Sequence, residues 1–207
     1  KQKISLFGSG RTDSGVHALA QSAHFTSKTI INNKFIFINT VNFFLKKYKI
    51  SILNIDKKSK NFHARYSAKK RTYMYVIINR IAQLSLDTDR AWHIKSPLNI
   101  KSIKKAAELL KGTKDFSTFR SSSCGAKSAI RTLDQAKITT IGDKIIIIFK
   151  SKSFLQQQVR SMVGCLKFVG ENKWSLKKFK AAIYSKKRIN CAPPAPARGL
   201  YLLKVSY

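Results

Sequence analysis

The stretch Ser5–Phe25, SLFGSGRTDSGVHALAQSAHF, holds Asp13, the sole acidic residue in the first 55 positions. Three of the nine glycines, Gly8, Gly10 and Gly15, surround it, and Arg11 stands just before it. A carboxylate in a Gly-rich loop admits several chemistries. Gly8-Ser9-Gly10 opens a dinucleotide-binding fingerprint, but Asp13 takes the third glycine's place. Gly10 and Gly15 have phosphate-loop spacing, yet Val16 stands where a lysine must reach the phosphates. Both nucleotide readings fail on a required residue. A glycosidase needs two carboxylates flanking one bond; no second acid lies nearby in sequence, so one has to arrive through folding. The remaining local reading is structural, with Asp13 capping a turn or pairing with Arg11.

The rest of the chain bounds the partner. Its 207 residues suffice for one large or two small domains, and 43% apolar content is ordinary for a globular core. Lys and Arg total 41 against 9 acids, a net charge of +32. Self-repulsion at that charge opposes compaction, and a polyanion relieves it. Lys, Ile and Asn are all heavily used, as AT-rich coding produces, so part of the lysine excess carries no function. Cys124, Cys165 and Cys191 are odd in number and widely spaced, which reads as reduced thiols in a cytosol-like compartment. His17, His24, His63 and His93 form no close ligand pair in sequence, and none is expected to bind metal. No run reaches the ~18 apolar residues of a membrane span, and no signal peptide is visible.

The elements that have to position the loop are mixed. HALAQSAHF reads as a strand, with His17 and His24 on opposite faces. Phe35–Leu45 reads as a helix, followed by a strand in YKISILNI. Lys69–Ile78, KKRTYMYVII, has strand composition, and its alternation places Tyr73 and Tyr75 on one face. Ile103, Ala106, Ala107 and Leu110 keep helical spacing, with Gly112 placed to end that helix. TLDQAKITT and KIIIIFKSKSF flank Gly142 as a hairpin. Val159, Met162, Val163 and Leu166 mark another helix ending at Gly170, and Ser175 caps one carrying Leu176, Phe179 and Ile183. The proline-rich APPAPARG turns into a terminal strand. This order predicts an α+β fold. Arg80–Pro97 is the weakest-patterned stretch and the expected boundary between residues 1–95 and 96–207.

GRTDSGVHA resembles the signature of the tRNA pseudouridine synthase A family, G-R-T-D-A-G-V-H-A, departing only at Ser14. Further matches follow in family order over nearly the whole chain. They are FHARYSAKKRTYMYVI, DFSTFRSSSC, SFLQQQVRSMVG and APPAPARGLYLLKVSY. The resemblance implies the pseudouridine synthase fold, two lobes with mixed or antiparallel sheets and packed helices around a basic cleft. It implies isomerisation of uridine to pseudouridine at positions 38 to 40 of the tRNA anticodon stem-loop, by a cytoplasmic homodimer. No cofactor and no metal is needed, because uracil supplies its own electron sink. The alternative is a non-catalytic basic protein that binds tRNA without modifying it.

The same resemblance assigns roles. Asp13 is the expected catalytic carboxylate, as nucleophile or proton-transfer group, and Arg160 its partner; a phosphate-binding surface arginine is the other reading of Arg160. Tyr73 is the expected aromatic platform under the target uracil, with Tyr75 on the same face open to confusion with it. Arg11 is expected to enter the RNA and hold the target nucleotide out of its stack, a step that costs a few kcal/mol. Gly10, Thr12, Gly15 and His17 of the loop, and Arg65 of FHARYS, are expected against the RNA. Lys144–Gly170 contains no acid and suits phosphate tracking. Two departures stand out. Gln157 sits where many relatives carry His, and the family's opening strand and helix are absent before the loop. The chain is therefore expected to be a piece of a longer protein, impaired in folding or activity if Lys1 is its true start.

Overall fold

The computed structural model of this chain describes residues 3–207; Lys1 and Gln2, at the start of the expected first lobe, lie outside them. The Gly-rich region supplies three very short strands, β1 (Phe7–Gly8), β2 (His17–Ala18) and β3 (Ala23–His24). Helix α1 (Lys34–Leu45) begins where the Asn33 side chain accepts from the Ile36 amide at 3.0 Å, a standard way to satisfy a free helix-end donor. The Tyr-rich run forms β4 (Lys70–Asn79), and β5 (Trp92–Ile94) lies parallel to it. Helix α2 (Ile100–Glu108), capped by Asn99, leads to β6 (Gly112–Asp115). The expected hairpin is β7 (Ile130–Ile141) and β8 (Lys144–Ser151). Helices α3 (Gln158–Gly170) and α4 (Leu176–Ser185) and strand β9 (Leu200–Ser206) complete the chain, with Ser175 capping α4 as expected.

The architecture is α+β, as the element order predicts. One mixed sheet of seven strands runs β2-β9-β4-β8-β7-β6, with β5 beside β4, and β1 pairs separately with β3. β4 comes from before residue 95, whereas its antiparallel neighbours β8 and β9 come from after it. The sheet therefore continues without a break across the boundary expected from sequence. Strict alternation in β8 buries Ile145, Ile147 and Phe149 on one face. Against that face pack Ile103 and Ala107 of α2, Val159, Met162 and Leu166 of α3, and Phe179 and Ile183 of α4. Each such large apolar side chain contributes about 1.5–3 kcal/mol on burial. Among the described residues no helix is long and apolar enough to cross a membrane.

Three local readings need correction. HALAQSAHF is not one strand: β2 joins the large sheet parallel to β9, while β3 leaves it for β1. The residues between them bend, with the Leu19 amide donating to the Leu202 carbonyl at 2.9 Å. YKISILNI forms no strand. The Asn42 side chain of α1 takes both main-chain groups of Ile52 instead, at 2.6 and 3.0 Å, standing in for a neighbouring strand. Gly112 does not end α2, which stops at Glu108; it opens β6. His24 and His63 do meet, rings 4.5 Å apart, but each Nδ1 accepts a backbone amide, so the contact is structural. Helix α1 is a helix as expected, yet none of its residues is buried, and Phe35, Phe43 and Phe44 are 73%, 65% and 68% exposed.

Candidate active site

The loop carrying Asp13 is held at both ends. Past the carboxylate, the Val16 amide donates to the Asp13 carbonyl at 3.1 Å and Gly15 adopts φ +77°, a left-handed conformation that glycine takes without steric penalty. Before it, buried Ser9 donates its amide to the Ser22 carbonyl at 2.8 Å and its hydroxyl to Gln21 Oε1 at 2.5 Å. Gln21 Nε2 then donates to the Gly10 carbonyl at 3.0 Å. A side chain on such a loop is positioned by main chain on either side.

Arg160 reaches it from α3. Gln157, just before that helix, is left-handed at φ +60°, a conformation that costs a non-glycine residue about 1–2 kcal/mol. The compensating tie is the Leu155 amide, which donates to the side chain of buried Gln158 at 2.8 Å. Arg160 Nε donates to the Ala195 carbonyl at 2.7 Å, and the Ala195 amide donates back to the Arg160 carbonyl at 2.9 Å. So anchored, Arg160 Nη1 meets Asp13 Oδ2 at 2.8 Å, across 147 positions of sequence. The two side chains are only 16% and 28% exposed, which limits screening by salt. Asp13 does not pair with Arg11, which is exposed. Among the described residues, seven other acids pair with different cations, and none joins this pair.

β4 supplies the aromatic wall. Tyr73 is half-buried and meets Phe154 edge to face, centroids 5.1 Å apart. Burial raises its phenol above the usual value; the Arg71 charge works against that rise and the Asp13 charge adds to it. The hydroxyl therefore stays protonated at neutral pH, within the field of the carboxylate. Tyr75, two residues on, is fully buried, its hydroxyl donating to the Pro196 carbonyl at 2.8 Å. Of the two tyrosines on this face, only Tyr73 retains an exposed edge.

Sequence reasoning missed Arg71. Its guanidinium donates to three carbonyls from three segments: Lys152 at 2.7 Å, Ser9 at 2.8 Å and Arg65 at 2.8 Å. It thus ties the Asp13 loop to the FHARYS turn and to the end of β8. The available signal was its place on β4, two residues before Tyr73 and on the same face.

The other expected contacts are distributed around the loop. Thr12 is exposed and Gly10 half-buried. Arg65 is exposed, its guanidinium 5.7 Å from the Tyr66 ring centroid. His17 stacks on Tyr201 at 4.7 Å and bonds the Asp89 carbonyl at 2.9 Å, so the protein itself occupies one ring face.

The tRNA pseudouridine synthase family profile matches residues 106–207. Over all 207 residues the chain is 56% identical to a tRNA pseudouridine synthase A of Pelagibacter ubique, covering 84% of that protein. The chain belongs to this family. Synthases of the same name from Parvibaculum lavamentivorans and Xanthobacter autotrophicus are 42% and 43% identical, with the whole chain aligned to 83% and 84% of their lengths. For a pseudouridine synthase the arrangement is chemically apt. It offers a carboxylate aimed by a cation, an un-ionised phenol and a partly water-shielded floor, all preorganised before substrate arrives.

Proposed function

We propose that this protein isomerises uridine to pseudouridine in tRNA, in the anticodon stem-loop at positions 38 to 40. The carrying observation is the 2.8 Å pair between Asp13 and Arg160, brought together across 147 positions of sequence, with the Asp13 charge acting on the Tyr73 phenol. In the reaction the C1′–N1 bond breaks, uracil turns, and a C1′–C5 bond forms. The C5 proton passes to solvent, and N1 regains a proton.

In this reading Asp13 is the reacting carboxylate, oriented by Arg160. Tyr73 lies under the uracil, and its un-ionised phenol relays the departing proton. Arg11, exposed at the loop tip, enters the stack, while Gly10, Thr12, Gly15, His17 and Arg65 line the path of the RNA backbone. The net charge of +32 supplies the phosphate attraction. A cytoplasmic homodimer, each copy organised as the two lobes expected at 1–95 and 96–207, completes the proposal.

The test is release of tritium from C5-labelled uridine in tRNA. Asp13→Asn is expected to lower release on the order of a thousandfold or more, with tRNA binding retained. Wild-type release from that variant removes Asp13 from the chemistry. Tight tRNA binding with no product from the unmodified chain instead favours the non-catalytic reading.

A further inference from the structure

The fold draws together two cysteines that sequence spacing keeps apart. Cys165 Sγ, fully buried in α3, lies 3.5 Å from half-buried Cys191 Sγ, just after the turn Arg188–Asn190. The segment leaving Cys191 runs directly along α3. The Ala192 amide donates to Cys165 Sγ at 3.3 Å, and a Cβ added at Gly164 would sit 2.1 Å from the Pro193 carbonyl oxygen. The segment ends at Ala195, whose main chain exchanges two hydrogen bonds with Arg160.

We propose that Cys165 and Cys191 form a reversible intramolecular disulfide whose closure shifts residues 191–195 on α3 and so alters the hold on Arg160. A disulfide requires about 2.05 Å between sulfurs, so closure draws the segment inward by about 1.5 Å. Cys165 is seated in a close-packed helix, so Cys191 and the chain attached to it make most of the movement. The Cys191 thiol lies below its ordinary value through its hydrogen bond with Cys165, with the Arg188 charge assisting. Arg188 is itself fixed, donating to Ser161 Oγ at 2.7 Å. Cys165 is pushed up by its hydrogen bond to Cys191 and by burial.

Access assigns an order of events, since Cys191 is half-buried and reachable whereas Cys165 is fully buried. The Cys191 thiolate attacks one sulfur of a low-molecular-weight disulfide and expels one small thiolate. Cys165 then gives up its proton and attacks Cys191 Sγ, expelling the second small thiol. The protein loses two electrons and two protons, and the small disulfide is reduced to two thiols. The step is reversed by a dithiol.

The effect on activity rests on the reading of Arg160 as the partner of Asp13. A displacement of about 1 Å near a reacting group costs up to ~100-fold, so the oxidised form is expected to lose on the order of tenfold in kcat, with KM for tRNA unchanged. The experiment uses Cys124→Ser protein, so that only the pair remains, treated with glutathione disulfide. Expected are a monomer with both thiols lost, a cross-linked peptide lacking two hydrogens, the fall in kcat, and full recovery with dithiothreitol. Adding Cys165→Ser is expected to make kcat insensitive to the oxidant. Glutathione retained on Cys191, a link between two chains, or a cross-link with unchanged kcat would overturn the proposal. Failure of the site reading is scored separately, by wild-type turnover of Asp13→Asn, which leaves the peptide-mass result standing.

Discussion

Tyr73 and Tyr75 show how one strand face assigns two different tasks to identical side chains. Tyr75 is sealed, its hydroxyl bound to the Pro196 carbonyl and its burial holding the phenol far above its usual range. Tyr73 is only half-buried, and the charges of Arg71 and Asp13 both act on its phenol. Removing the two hydroxyls therefore has opposite consequences. Tyr73→Phe is expected to lower tritium release by about 100-fold or more, the scale of a lost proton-transfer group, with little change in melting temperature. Tyr75→Phe is expected to lose about 1–2 kcal/mol of stability through the orphaned carbonyl, with kcat within about twofold. Paired thermal melts and single-turnover assays separate them.

Helix α3 connects packing to chemistry, because one face contacts the core and its first turn carries Arg160. Gly164→Ala is expected to push the Pro193 segment off the helix, costing about 1–3 kcal/mol and lowering kcat together, since Ala195 then loosens its grip on Arg160. Denaturant melts and turnover of the same preparation check it. At the other end of α3, burial alone would raise the Glu171 carboxyl, but hydrogen bonds from Lys167, Lys173 and Ser96 outweigh it and hold it at about 2, against an ordinary 4.5. A depressed folded-state value stabilises above the unfolded one and fades below it. The tie is thus intact above pH 4.5 and is expected to be lost as pH falls toward 2, a decline absent in Glu171→Gln when acid unfolding is followed by circular dichroism.

These elements were legible where periodicity and caps coincide. Ser175 with Leu176, Phe179 and Ile183, and the alternating Ile145, Ile147 and Phe149, each satisfy a local rule and a packing rule together. YKISILNI satisfied strand propensity alone, and a strand needs a partner; Asn42 took that place from a helix that no propensity connects to it. The Asp13–Arg160 pair was legible only through the family resemblance, since 147 intervening residues leave no periodic trace. Arg71 escaped because its partners are carbonyls, which every residue possesses.

For the whole molecule, charge and exposed apolar surface act in different directions. With +32 spread over 207 residues, tRNA affinity is expected to fall at least about 100-fold between roughly 50 and 200 mM salt, measured by filter binding. Turnover at saturating tRNA is expected to change little over that range, because the Asp13–Arg160 pair is shielded. The bare aromatics of α1 give the molecule an adhesive side that repulsion between like-charged copies opposes at low salt. Across these surfaces, the junction at Arg71 is written in main chain. Side chains at positions 9, 65 and 152 are free to vary so far as this knot is concerned, provided their peptide oxygens stay in place. The fork at position 71 has no such latitude: a lysine there, with one ammonium for three scattered acceptors, would leave part of the knot untied.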